Sequence, residues 1–386
     1  MKGQCRNMKI VLWGEGKWIE NAFFEVSRMS LEKNEKIEIE YYISNEKIYF
    51  MDKDRYTYET APQINSKFIV LAFHDEKYLE IKKKLIKEGK TEFKDFIGYR
   101  MFNRKICVIN ANCYGIYVKQ FLEENSEFRD VYGIYPIPPI HQNEEGIIDD
   151  NILKHTDLYI HQDIRKDNKI SVYLSDEYII PKLNCHCVKV CIPNFVGLFD
   201  AFYPNICKET YNNIKGETMF FKDIVIEEAY NKCVKLGSLD DIIAYIDNYR
   251  FDDKKIYYNF NQMMNKISER EKNWDIKISD YILENFQEKD LVEDINHPTY
   301  KLLHEICTRL LKVLNINNVN YEKIYSSGCA METFIMPQVK KILGMKWKKE
   351  KIRLYTIDYC YHDRQPINYR QYVQEYVWRV FGTILV

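Results

Sequence analysis

The sequence predicts an α/β protein in two parts: a Rossmann-like αβ unit over residues 1–104, and a larger α/β unit over 105–386 that ends mostly helical. Three observations carry this reading. Short apolar runs alternate with segments of helical spacing, the pattern of parallel strands joined by crossover helices. The first run, "MKIVLW", ends at the glycine pair Gly14 and Gly16, and a later run, "RKICVIN", ends at a small polar turn directly before a helical stretch. From "SLDDIIAYIDNY" onward, helical spacing dominates.

In the first unit, Ile19, Ala22, Phe23 and Val26 repeat at helical spacing after the glycine turn. Strands follow at "KIEIEYYIS" and "SKFIVLAF", then a helix through "EKYLEIKKKLIKEG" that Gly89 closes. Gly14 and Gly16 form part of a dinucleotide fingerprint, but Ile19 holds the third glycine position. A phosphate over the helix start is one reading. A tight structural turn is the other, and the missing glycine favours it.

Polar residues 103–105 mark the join between the units. The second unit continues with a helix from Tyr114, a proline-rich bend "YPIPPIH" at 135–141, and strands at "TDLYIHQDIR" and "CHCVKVCIP". "NWDIKISDYILENF" and "PTYKLLHEICTRLLKVL" read as helices, "IRLYTI" as a short strand and "YRQYVQEYVWRVF" as a closing helix.

Lys and Arg total 56 against 57 for Asp and Glu, so no global field draws the chain to nucleic acid or an anionic membrane. The longest apolar runs are too short to span a bilayer, and Gly14, Glu15 and Gly16 interrupt any signal-peptide core, so a cytoplasmic location is expected. The 11 cysteines, odd in number and scattered, fit free thiols in a reducing compartment.

A thiol between a strand end and a helix start is exposed at the sheet edge and faces backbone N–H donors and the positive helix end, which favour thiolate. Cys113 occupies that place, although a free cysteine is also commonly a small buried apolar side chain. "EDINHPTY" at 293–300 offers partners: Asp294 lies three residues before His297, and Pro298 suits a first helical turn. At a helix start the dipole would keep His297 neutral, as a general base requires. Cys113, His297 and Asp294 thus form a candidate nucleophile, base and orienting acid in an SGNH-like layout with cysteine for serine. Aspartate in an acidic run and histidine as a cap are the structural alternatives.

Oxyanion donors are expected from the other strand ends: Gln162 first, with Arg165 and Asn194, while Asn110 and Asn112 serve as donors or turn formers. His141, His155, His161 and His304 are rival bases more in keeping with loop or core roles. "NCHCVKVCIPN" suggests zinc, but strand alternation puts Cys185, Cys187 and Cys191 on one side and His186 on the other, so no metal is expected.

"KICVINANCYGIYVKQFL", "TDLYIHQDIR", "PNFVGLFDAFYPN" and "EDINHPTYKLLHEI" together resemble the WcbI-type family of capsular-polysaccharide biosynthesis proteins, over about residues 105–386. The resemblance implies an αβ protein that binds coenzyme A and moves an acetyl group onto a sugar. It maps Asn112 and Cys113 to the nucleophile turn, Gln162 to the middle strand end, and Asn296, His297 and Pro298 to the late motif. Ala111 and Tyr114 depart from the Gly-Asn-Cys-Gln form of the turn. Arg165, Lys166 and Lys169, or Arg270 and Lys272, are the expected cations for CoA phosphates, with Asn194 and Asn296 beside them. The implied partners are acetyl-CoA, a carbohydrate or nucleotide-sugar acceptor, and other members of a biosynthetic complex. A thiol esterase or deacetylase, and a non-catalytic CoA or sugar-nucleotide binding module, are the competing readings.

Overall fold

In the computed structural model, residues 8–32, 37–48, 52–62, 64–167, 171–214, 218–233, 238–317, 332–354 and 366–384 are described. Strands β1 (Met8–Gly14), β2 (Ile37–Ile43), β3 (Asp54–Tyr56), β4 (Phe68–Ala72) and β5 (Phe96–Gly98) form a parallel sheet in the order β3-β2-β1-β4-β5. Ile10, Val11 and Leu12 are wholly buried, as a central parallel strand covered on both faces requires. Helix Gly16–Glu32 crosses from β1 to β2, and helix Asp75–Lys87 from β4 to β5, followed by Gly89 at φ 85°.

The glycine turn has a packing cause. A Cβ on Gly14 would meet the Ala72 carbonyl oxygen at 2.3 Å, and Glu15 N–H donates to that same oxygen. The bond crosses the place where strand order reverses, and Ile19 is wholly buried against it.

The second sheet contains β6 (Lys105–Asn110), β7 (Tyr132–Ile134), β8 (Thr156–Gln162) and β9 (Val188–Ile192), all parallel, in the order β7-β6-β8-β9. Helix Gly115–Glu124 follows β6 directly. β10 (Ile206–Ile214) and β11 (Thr218–Asp223) form a separate antiparallel pair, and the described residues beyond Asp223 are mostly helical.

The two sheets share apolar packing. Ile106, Val108, Tyr135 and Tyr159 of the second sheet region belong to the same buried cluster as Ile69, Leu71, Tyr78 and Phe96 of the first. Within it, Lys82 Nζ lies 2.7 Å from Glu92 and donates to the Tyr135 hydroxyl at 2.6 Å, while Tyr135 in turn donates to Glu92. This buried polar cluster ties the first unit to the bend after β7.

Several elements differ from expectation. The longest helix of the helical part, Asp253–Arg270, is not among the expected elements; its stripe of Ile256, Phe260, Met263, Met264 and Ile267 is sparse in a polar stretch. The helix expected through "NWDIKISDYILENF" is confined to Ser279–Asn285, because Trp274, Ile276 and Ile278 alternate with exposed residues and the chain bends at Asp275 and Ile276, whose N–H groups meet the Cys191 carbonyl of β9. The strand near "IRLYTI" is a single bridge, Ile352 to Ile367, with 355–365 outside the described residues.

Candidate active site

β6, β8 and β9 all end at one edge of the second sheet, and one side chain joins the three ends. Gln162, the last residue of β8, accepts the Asn112 N–H at 2.8 Å and donates to the Pro193 carbonyl at 3.1 Å. It is 1% exposed. This differs from its expected role as oxyanion donor: the amide is sealed in and already committed, so Gln162 positions the turn instead.

The turn after β6 presents Cys113. Asn112 Oδ1 accepts the Tyr114 N–H at 3.3 Å, and the Asn112 carbonyl accepts the Gly115 N–H at 2.9 Å. Between these used amides, the Cys113 N–H has no protein acceptor among the described residues, nor has Asn112 Nδ2. The N–H of the nucleophile's own residue and the side-chain amide of the residue before it are therefore uncommitted donors. Gly115 is a site residue that sequence reasoning misses: a Cβ there would stand 2.8 Å from the Ala111 Cβ, so glycine lets the helix begin tight against the strand end.

His297 reaches Cys113 from a closed loop. Val292 and Pro298 bridge in antiparallel fashion, Glu293 N–H donates to the His297 carbonyl at 2.9 Å, and Thr299 N–H donates to the Leu291 carbonyl at 3.0 Å. The following helix, Tyr300–Val313, packs on helix Gly115–Glu124, with Phe121 and His304 edge to face at 5.8 Å. This docking sets His297 Nε2 3.0 Å from Cys113 Sγ.

Asp294 is fully buried and lies against the other ring nitrogen, with Oδ2 2.8 Å and Oδ1 3.0 Å from His297 Nδ1. Its Oδ1 also accepts the N–H groups of Asn296 and His297, at 2.7 and 3.0 Å. Two sequence expectations are corrected here. The helix begins at Tyr300 with Thr299 as its N-cap, so His297 lies ahead of the helix and not in its first turn. Its pKa is also raised well above the usual histidine range: burial opposes the charged form, but the charge and hydrogen bond of Asp294, then Cys113, outweigh it. The Asp294 carboxylate thus favours the charged form of the ring that faces the sulfur.

Asn296 accepts the Gly197 N–H at 2.9 Å, joining the His297 loop to the loop after β9, and Asn194 Oδ1 caps its own turn at Val196 N–H. Arg270 donates to the Asn194 carbonyl at 3.3 Å, whereas Lys272 pairs with Glu269. Arg165 and Lys166 are exposed just beyond β8, and Lys169 lies outside the described residues. Asn110 is buried and donates to the Tyr159 hydroxyl and the Leu174 carbonyl, so it braces the sheet.

Among the rival histidines, His155 stacks on Phe93 and His161 on Tyr159, with His161 Nδ1 2.9 Å from Asp176. His141 is the exception. It lies in a short turn whose Ile140 N–H donates to the Ala111 carbonyl at 3.0 Å, and burial followed by the charge of His297 lowers its pKa. The cysteine cluster departs from the alternation argument, since β9 begins only at Val188 and Cys185 lies exposed in the preceding turn. Among the described residues no group of His, Cys, Asp and Glu has metal-binding geometry, and no helix is long and apolar enough to cross a membrane.

A family model described as "Polysaccharide biosynthesis enzyme WcbI" matches residues 106–319, and the unit before Lys105 lies outside it. A solved structure of WcbI, described as a novel polysaccharide biosynthesis enzyme in native form without a disulfide bond between CoA and a cysteine, is 14% identical. The match covers 72% of this chain and 91% of that one, with a TM-score of 0.49. No curated protein matches.

Proposed function

Because the chain belongs to the WcbI family of polysaccharide biosynthesis enzymes, we propose that it transfers an acetyl group from acetyl-CoA to a sugar hydroxyl, using Cys113 as nucleophile. The observation that carries the proposal is the 3.0 Å approach of Cys113 Sγ to His297 Nε2, with buried Asp294 behind the ring. A thiolate and a thioester exchange at almost no net cost in bond energy, which suits a cysteine to this donor.

The Cys113 thiolate attacks the acetyl carbonyl, and the carbon–sulfur bond to CoA breaks. The CoA thiolate takes the proton of the His297 imidazolium and leaves as CoA thiol. Neutral His297 then removes the proton of the sugar hydroxyl while its oxygen attacks the acetyl-cysteine, and the departing thiolate restores the ion pair. Asp294 fixes the ring tautomer and stabilises its charged form. The Cys113 N–H and Asn112 Nδ2 are the proposed donors to the tetrahedral oxyanion.

The test is incubation with acetyl-CoA, with and without an oligosaccharide acceptor, followed by intact-protein and product mass spectrometry. An acetyl increment on Cys113 that passes to the sugar is expected. Release of acetate alone makes the protein a hydrolase, and an unmodified Cys113 with full turnover removes the covalent step.

A further inference from the structure

Where the first unit meets the second, the structure holds a cleft of ≈ 400 Å³ away from Cys113, in the size range of small-molecule sites. Helix Gly16–Glu32 supplies Trp18, Asn21, Phe24 and Glu25; the segment after β5 supplies Tyr99, Arg100 and Arg104; the far wall includes Glu123, Arg129 and Tyr132. Neither unit makes this cleft alone.

We infer that this cleft binds the acceptor glycan, holding sugar residues of the chain away from the one being modified. The inference rests on the proposed transfer to a sugar, and four features of the cleft support it.

The polar groups are fixed in advance. Arg104, with its side chain 4% exposed, lies 2.6 Å from Glu25 and donates to the Arg100 carbonyl at 2.9 Å. Arg100 lies 3.1 Å from Glu123 and 3.2 Å from Asp75. The sealed Arg104 thus braces Glu25, and Arg100, Glu25 and Glu123, each about 30% exposed, offer donors and acceptors to vicinal hydroxyls at little ordering cost.

The apolar groups form faces. Phe24, 58% exposed, offers an open ring, while Trp18 and Tyr132 are each covered on one face, by the Arg100 guanidinium at 4.9 Å and by Phe128 at 5.1 Å. Aromatic faces of this kind suit the C–H faces of pyranose rings.

Charge in the cleft suits an acidic sugar. Three arginines and two glutamates line it, and with Glu25 held by Arg104 and Glu123 by Arg100 the surplus is one positive charge, at Arg129. A single uronate carboxylate matches that surplus.

The cleft lies at a glycan's length from the chemistry. It opens toward the start of β6 and the far end of helix Gly115–Glu124, and Glu123 in its wall follows Cys113 by ten residues, or about 15 Å at the rise of a helix. An extended glycan is long enough to reach both places.

The experiment is binding of the full chain to an array of tetra- to octasaccharides built from hexoses, N-acetylhexosamines and hexuronates, followed by calorimetry with the best binder. Phe24→Ala removes an exposed aromatic face, and Asn21→Trp fills the cleft from an exposed position; thermal unfolding confirms that each variant folds. Binding by the wild type that weakens at least tenfold in both variants is expected. No binding to any array member, equal binding by the folded variants, or competition by UDP at the same site overturns the inference. Failure of the transfer reading is seen separately, as absence of acetyl on Cys113 while glycan binding persists.

Discussion

Asp294 holds His297 at two points: the carboxylate lies 2.8 Å from the ring nitrogen Nδ1 and accepts the same residue's backbone N–H at 3.0 Å. One buried charge therefore fixes both the loop and the ring. The raised pKa of His297 has a definite sign for stability. The stabilisation from its protonated form is complete below its ordinary value of about 6.5 and is lost as pH rises through the raised folded value. Asp294→Asn should lower the titration midpoint of His297, since burial then acts against the charge with no carboxylate to oppose it. It should also cut acetyl transfer by about 100-fold or more. Histidine NMR across pH checks the first outcome, and an unmoved midpoint would remove Asp294 from its assigned role.

Cys113→Ala should abolish acetylation of the protein and transfer to the acceptor. CoA binding should change by less than tenfold, or about 1.4 kcal/mol, because the side chain is small and the surrounding turn is held by other groups. Calorimetry with CoA, beside a turnover assay, tests both halves; wild-type turnover in this variant would end the covalent scheme.

Gln162→Met nearly preserves shape but leaves the Asn112 N–H and the Pro193 carbonyl without their partner. Each lost partner costs about 1–3 kcal/mol, so a marked drop in unfolding temperature is expected. If Gln162 positions the nucleophile turn, kcat falls while KM for acetyl-CoA changes little. Gln162→Glu keeps an acceptor for Asn112 and should recover part of the loss. Equal stability of the Met variant and the wild type would show that the three strand ends need no such tie.

Asp223 gives a prediction away from the site. Its carboxyl is fully buried, which pushes its pKa up to about 6 even though the N–H groups of Val225 and Ile226 and the side chain of Asn205 donate to it. Between its ordinary acid range and pH 6 the native state binds more protons, so stability falls as pH rises through that window. Asp223→Asn keeps an acceptor for the two backbone N–H groups and lets the Asn205 amide turn over, whose Oδ1 has no partner here. The variant should be at least as stable as wild type at pH 7, with the slope between about pH 4 and 6 removed. Chemical denaturation at several pH values measures this, and a slope unchanged by the substitution would refute it.

Much of the geometry is legible in the sequence because it rests on local patterns. "ICVIN" followed by a small turn and a helical repeat places Cys113, and "DINHP" brings Asp294 within reach of His297. The raised pKa of His297 is not legible, since it depends on how deeply the ring and Asp294 are buried and on the approach of Cys113 from 184 residues away. The task of Gln162 is hidden for a similar reason: its partners, Asn112 and Pro193, come from neighbouring strand ends. Strands β3, β5 and β7 are too short to leave a period, and the stripe of helix Asp253–Arg270 is masked by the lysines and asparagines between its apolar residues.

The buried bridge from Lys82 and Glu92 to Tyr135 bears on how the protein can be dissected. A truncated chain starting at residue 105 would strip cover from Ile106, Val108 and Tyr159 and cut the anchor of the bend that meets Ala111. Such a fragment would tend to aggregate, so loss of activity in it would say nothing about which unit carries the reaction. Point substitutions in the intact polypeptide are the sound way to divide the labour between its halves.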